Sequence, residues 1–408
     1  MQTTEGFRGL RCLSCEEQFD ATVTHRCPDC GGVLDPAYED EALEGFHKEF
    51  FPGAHNNSAS GADTGRTDTV SRGLERFAPV LPFAPEKLVT LGEGTRVIEC
   101  PTLAAEFGVE QVLLADEGTN PTGGGVDREL SLAVTAARES GTEEVALATT
   151  GNAGQAAAAY AARAGLDSQS FVPSRSVFAN KAMINVHGGE MSVVGGRYPD
   201  AVEAFESART DESWHSVAPF ETPYRHEGAK TLAYELVRAL ETPPDAVVHP
   251  TSHGTGLFGL HKGVRELLQT ATIDRQPRLY AAQASGCAPI VEAFETDQTE
   301  HEPVSHPDTI CGPLEVANPA GGHLVLDALA ETDGGVVDTA DDDILEAAVS
   351  LASAGIPTSV TGGAAVSGAR TLAQTGAFDS GDVVVLVNPS TANRDADVLR
   401  SHLMKQGI

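Results

Sequence analysis

From residue 111 to residue 388 the chain keeps returning to one pattern: a short apolar run, a turn of small residues and glycines, then a stretch of helical periodicity. The apolar runs fall at Val112-Leu113-Leu114, Val145-Ala146-Leu147-Ala148, 168–172, 191–194, 246–249 and 383–387. Helical patterns follow from Arg128, after Asn152, at 178–187, at 199–209, from about Leu257 and at 341–354. Strands and helices alternating at this spacing predict an α/β chain of doubly wound open sheets. With 408 residues and 41% hydrophobic content, the chain can bury at least two cores. Strand-to-helix turns in such sheets bring N–H groups and helix N-termini to the carboxyl edge, where ligands bind.

Three of these turns carry chemistry. Residues 115–128 read Ala-Asp-Glu-Gly-Thr-Asn-Pro-Thr-Gly-Gly-Gly-Val-Asp-Arg, a flexible loop in which Asp127 is suited to cap a helix starting at Arg128. Thr150-Gly151-Asn152 opens an alanine-rich helix, and local chemistry leaves Asn152 equally suited to capping and to ligand binding. Pro250-Thr251-Ser252-His253-Gly254-Thr255-Gly256 places two glycines and three hydroxyls at a helix N-terminus, a competent phosphate cradle.

The N-terminal region is different. Cys12-Leu13-Ser14-Cys15 and Cys27-Pro28-Asp29-Cys30 are two Cys-x-x-Cys knuckles with eleven residues between them. In a reducing compartment that spacing favours a structural zinc site closed by four thiolates over disulfides, with a ribbon that has lost its metal as the alternative. Residues 1–48 are expected to form this ribbon and its flank. Residues 49–84, rich in Gly, Ser, Asn and Pro, read as a linker or extended arm.

Acidic residues outnumber basic ones 59 to 27, for a formal charge of −32, which argues against nucleic acid or an anionic membrane as partner. Acid spread along the chain with scarce lysine reads most simply as a protein kept soluble in a salty, halophilic cytoplasm, where screening weakens self-repulsion; an ordinary acidic protein is the alternative. The opening residues do not read as a signal peptide and no run approaches a membrane span, so a cytoplasmic location is expected.

Asn120-Pro121-Thr122-Gly123, followed by Asp127-Arg128, resembles the loop Asn-Pro-Thr-Gly-Ser-Phe-Lys-Asp-Arg of threonine synthases and other fold type II pyridoxal phosphate (PLP) enzymes. Other stretches are similar to that family's as well: Leu91-Gly92-Glu93-Gly94-Thr95, Thr150-Gly151-Asn152, Pro223-Tyr224-Arg225 through Lys230, and Ala284-Ser285-Gly286-Cys287-Ala288-Pro289-Ile290. Archaeal threonine synthases often carry an N-terminal ribbon of this kind. The resemblance implies a tryptophan synthase β-like architecture, with a large domain from 85–130 and 210–408 and a small α/β domain from 131–209. It implies PLP as cofactor, with Asn152 on its 3′ oxygen and Ser252, His253, Gly254, Thr255 and Gly256 around its 5′-phosphate. Thr391, or Ser390 beside it, would stand at the pyridine nitrogen, and Ser359 falls where the family has a glutamate.

The chain departs from the family at one chemical point. Gly124-Gly125-Val126 stand in place of Ser-Phe-Lys, so Val126 occupies the position of the lysine that forms the Schiff base. That lysine anchors the cofactor and moves protons at the substrate, and valine does neither. Lys87 and Lys181 are poor substitutes by position. No catalytic residue is therefore assigned. Three readings follow: a paralogue that binds PLP or another small phosphorylated ligand non-covalently; a PLP-dependent lyase or synthase with a rebuilt site, acting on O-phosphohomoserine or a related amino acid; or a structural partner of an active paralogue. A homodimer is the oligomer the resemblance implies.

Overall fold

The computed structural model describes residues 1–22, 25–51, 73–210, 214–405 and 407. Its centre is a six-stranded sheet in the order Gly335–Thr339, Arg278–Ala284, Ala246–Pro250, Val383–Asn388, Gln111–Asp116, Arg96–Glu99. All neighbours are parallel except the edge strand Arg96–Glu99. Side chains alternate between two buried faces: Leu113, Val247, Val385 and Val387 on one, Val112, Leu114, Val248, Val384 and Leu386 on the other. Helices cover both faces, which is why these strands read as unbroken apolar runs. A second, parallel sheet runs Glu190–Val194, Asp167–Pro173, Glu144–Ala148, His215–Ser216. The two sheets, one six-stranded and one four-stranded, bear out the expected α/β class.

Helix Val126–Ser140 begins directly after the glycine loop and buries Leu130, Ala133, Val134 and Ala137 against the second sheet's core. Its start corrects one expectation. Gly125, not Asp127, holds the N-cap position, because the glycines let the chain enter the first turn early: Asp127 N donates to Gly124 O at 3.1 Å and Arg128 N to Gly125 O at 3.2 Å. Asp127 turns back instead, accepting from Thr122 N at 2.7 Å and from the Thr122 hydroxyl.

The last part of the expected arm, from residue 73, contributes to the core. Residues Leu74–Val80 form a 3₁₀ turn with Leu74, Phe77 and Val80 fully buried, while residues 52–72 lie outside the described residues. The buried Glu93 carboxylate holds this segment to residues 90–93, accepting from Leu74 N at 3.2 Å, Leu91 N at 2.9 Å and Thr90 Oγ1 at 2.6 Å.

At the N-terminus, Phe7–Cys12, Gln18–Phe19 and Leu34–Tyr38 make a three-stranded antiparallel ribbon. A buried ionic cluster ties it to the body. Lys262 Nζ donates to Asp35 at 2.6 Å and pairs with Glu227 at 2.7 Å; Lys230 lies between Glu227 and Glu266, at 2.5 and 3.0 Å. Among the described residues no helix is long and apolar enough to cross a membrane.

Candidate functional site

The carboxyl ends of the central strands open onto a cavity of about 160 Å³ between the two sheets. It is lined by the start of helix Val126–Ser140, by Thr149, Thr150 and Asn152, by residues 249–256, and by Val387, Pro389 and Ser390. Of the residues singled out in the sequence, Val126, Asn152, Ser252, His253, Gly254, Thr255 and Gly256 therefore meet at one cavity. Thr391 is not among the lining residues; it opens the short 3₁₀ turn Ala392–Asp395, and its neighbour Ser390 faces the cavity instead. Ser359 caps helix Val360–Gln374, accepting from Gly362 N at 2.9 Å, and leaves Thr361 to line the cavity. Asn152 caps nothing: its Oδ1 accepts from Asn180 Nδ2 at 2.8 Å and Gly151 holds the N-cap position.

The cradle is built by the strand Ala246–Pro250 handing over to helix Thr255–Gln269. Thr251 N donates to Ala282 O at 2.8 Å and Gln283 Nε2 to Thr251 O at 3.1 Å, which fixes the loop to the neighbouring strand. Gly254 takes φ +94°, a conformation that favours glycine, and a Cβ there would stand 2.5 Å from Val325 Cγ2. The N–H groups of Ser252, His253, Gly254, Thr255 and Gly256 have no acceptor among the described residues. Five unpaired donors at a helix N-terminus are an anion site in waiting.

His253 is held in one tautomer. Its Nδ1 accepts from Ala320 N at 3.2 Å, so Nε2 carries the proton and faces the Tyr198 hydroxyl at 2.8 Å. Burial, helped by Arg225, pushes the imidazole down to about 3, so the ring is neutral. The contact joins the cradle to the helix Tyr198–Arg209, which packs on the second sheet.

The other wall is ionic. Arg128, 1% exposed, donates Nε to Glu117 at 2.7 Å, Nη2 to Glu235 at 2.6 Å and to Thr95 Oγ1 at 2.7 Å, and Nη1 to Thr231 at 2.9 Å. Burial on its own would raise the Glu117 carboxyl, but Arg128 outweighs it and holds the group below its ordinary value. Asp127 lacks such a partner, and burial raises it to about 7 against the opposing Thr122 hydrogen bonds. Arg225 pairs with Glu129 at 2.8 Å and donates to Val217 O at 3.1 Å. Glu117, Glu129, Arg128, Arg225 and Tyr198 all line the cavity and were missed as site residues in the sequence, although Arg128 and Arg225 sit inside motifs quoted above.

No lysine lines the cavity among the described residues. Lys87 pairs with Glu139 at 3.7 Å, Lys181 donates to Ser174 O at 2.7 Å, Lys48 pairs with Glu44 at 3.0 Å, Lys230 and Lys262 are committed to the buried cluster, and Lys405 ends the last helix.

Residues 89–390 match the family profile described as pyridoxal-phosphate dependent enzyme. The chain belongs to that family. It is 30% identical over 393 residues to a threonine synthase of Methanocaldococcus jannaschii, covering 95% of this chain and 93% of that one. It is 28% identical over 390 residues to a threonine synthase of Methanosarcina acetivorans, covering 95% and 92%. Among solved structures, a maize serine racemase superposes with a TM-score of 0.65 at 16% identity, over 77% of this chain and 94% of that one, a likeness of fold alone. The family member described here is thus a threonine synthase homologue.

Proposed function

We propose that this homologue binds PLP, or another small phosphorylated ligand, non-covalently, and has lost the family's covalent chemistry. The observation that carries the reading is Val126: it lines the cavity at the start of the helix where relatives by motif carry lysine, and every lysine of this chain lies elsewhere. The residues present fit the phosphate end of such a ligand and not its covalent attachment. Five unpaired N–H groups and the Ser252 and Thr255 hydroxyls are suited to a phosphate, whereas an aliphatic side chain offers no nucleophile.

When bound, PLP supplies an electron-withdrawing ring to amino-acid chemistry. The residues around it do the rest. The 252–256 cradle takes the phosphate, and Asn152 presents an amide edge to the ligand from the alanine-rich helix. The Arg128–Glu117–Glu235 cluster holds the first turn of helix Val126–Ser140 in place, and the Tyr198–His253 contact closes the cavity between the sheets.

We also assign zinc to Cys12, Cys15, Cys27 and Cys30. Their sulfurs lie within 4.8 Å of one another. Four thiolates on one tetrahedral zinc ion, at about 2.3 Å each, would stand about 3.8 Å apart, and Cys12 to Cys30 is 3.5 Å and Cys15 to Cys27 3.7 Å. A thermal-shift titration with PLP, pyridoxal and inorganic phosphate tests the cradle: PLP is expected to stabilise the protein, phosphate to do so weakly and pyridoxal least. Equal responses to PLP and pyridoxal would remove the phosphate from the account.

A further inference from the structure

The sheet face beneath the cavity is apolar along its length, from Leu113 and Ala115 through Val247, Leu279, Val385 and Val387. Two residues beyond Val247, and so on the same face, stands His249, next to the strand's last residue and lining the cavity. An imidazole there interrupts a run of aliphatic side chains. Its Nδ1 is shut off from solvent and has no hydrogen-bond partner among the described residues, which leaves Nε2 as the ring nitrogen that can meet a ligand. Its Nε2 lies 2.7 Å from where a Cβ on Gly256 would stand, so the ring leans over the cradle and residue 256 has no room for a side chain. Burial pushes the imidazole down to about 4, against the raising influence of the Pro250 backbone and the Glu117 carboxylate, so the ring is neutral and can either donate or accept.

We propose that His249 is a ligand-contacting residue of this cavity, its imidazole hydrogen-bonding a phosphorylated ligand seated in the 252–256 cradle. The inference rests on the cradle reading above and adds to it an imidazole from the strand that leads into the cradle. His249 and Val126 then play opposite parts: Val126 offers the ligand no polar side-chain atom, and His249 offers an imidazole.

The test uses the full-length protein with PLP as probe. Equilibrium dialysis is expected to give about tenfold weaker binding for His249→Phe, which keeps a ring packed on Gly256 but removes both nitrogens. His249→Gln restores a polar edge and is expected to recover most of the loss. Nitrogen-15 spectra of the wild-type histidines add a readout that packing alone would not move: a His249 ring resonance should shift on saturation with PLP. Wild-type affinity in His249→Phe, with the ring resonances unmoved at saturation, would reduce His249 to packing and leave the cradle standing. If the wild-type protein takes up no PLP at all, the cradle reading fails, and this inference with it.

Discussion

Two loops at the carboxyl edge of one sheet bring opposite chemistry to the cavity. The 251–256 turn keeps everything a phosphate needs: a left-handed glycine, free N–H groups and hydroxyls at a helix start. The 120–128 loop keeps only its scaffolding. Asn120 still donates to Glu117 O at 3.0 Å and accepts from Gly94 N at 2.8 Å, and Arg128 still ties three segments together, yet the side chain delivered to the cavity is Val126. On the reading proposed above, binding geometry and covalent chemistry are separable in this fold. The first depends on backbone shape held by many residues, the second on one side chain.

The largest effect expected from attacking that contrast is qualitative. Val126→Lys should convert a protein with no covalent PLP into one that forms a stoichiometric, borohydride-stable adduct at residue 126, checked by peptide mass mapping. Failure to react, with PLP binding intact, would mean that the loop and cradle no longer face each other as a family site requires.

Next in size is the ionic hub. Arg128→Met leaves the buried Glu117 without its cation and Glu235 with Arg76 alone, and is expected to cost about 3–5 kcal/mol in denaturant unfolding. Gly254→Ala forces a side chain into φ +94° and against Val325. It should cost about 1–3 kcal/mol and weaken PLP binding disproportionately, because it moves the cradle alone. If Gly254→Ala lost stability without losing affinity, the cradle would be a structural turn only.

A subtler effect separates two carboxyls of the 120–128 region by pH. Asp127 has a raised value, about 7, so the folded state holds its proton more tightly than the unfolded chain does. Its destabilising contribution is absent below the ordinary aspartate value of about 4 and grows as pH rises through 7. Glu117 is held low, so its stabilising contribution is present above the ordinary glutamate range and is lost as pH falls through its lowered value. Asp127→Asn should therefore gain on the wild type steadily in thermal melts from about pH 4 to pH 8, and a constant difference between the two would contradict the assignment. The smallest change expected at the cavity comes from the ribbon. Chelation should remove one zinc per chain and lower the melting temperature while leaving PLP affinity largely intact.

Much of this was legible in the sequence because it depends on short-range chemistry. Strands such as 246–250 and 383–388 are buried on both faces, so they announce themselves as apolar runs, and the cradle's glycines and hydroxyls are contiguous. What escaped was long-range. Arg128 meets Glu235 across 107 residues and Arg225 meets Glu129 across 96, and nothing local marks either pair. Asp127 looked like a cap because capping residues are recognised by position, whereas three preceding glycines shifted the helix start. Residues 73–84 read as an arm because prolines and small residues mask Leu74, Phe77 and Val80, whose burial is decided by helices far along the chain. His249 sits in an apolar strand, and only the cavity reveals its exposure to a ligand.

The most direct measurement is the intact mass of the wild-type protein after saturation with PLP and borohydride reduction, with any adduct mapped to its residue. Measurable PLP binding by dialysis with no adduct on a cavity residue is the predicted result. A stoichiometric adduct on a lysine brought into the cavity, or threonine formed at an ordinary enzymatic rate, would contradict it.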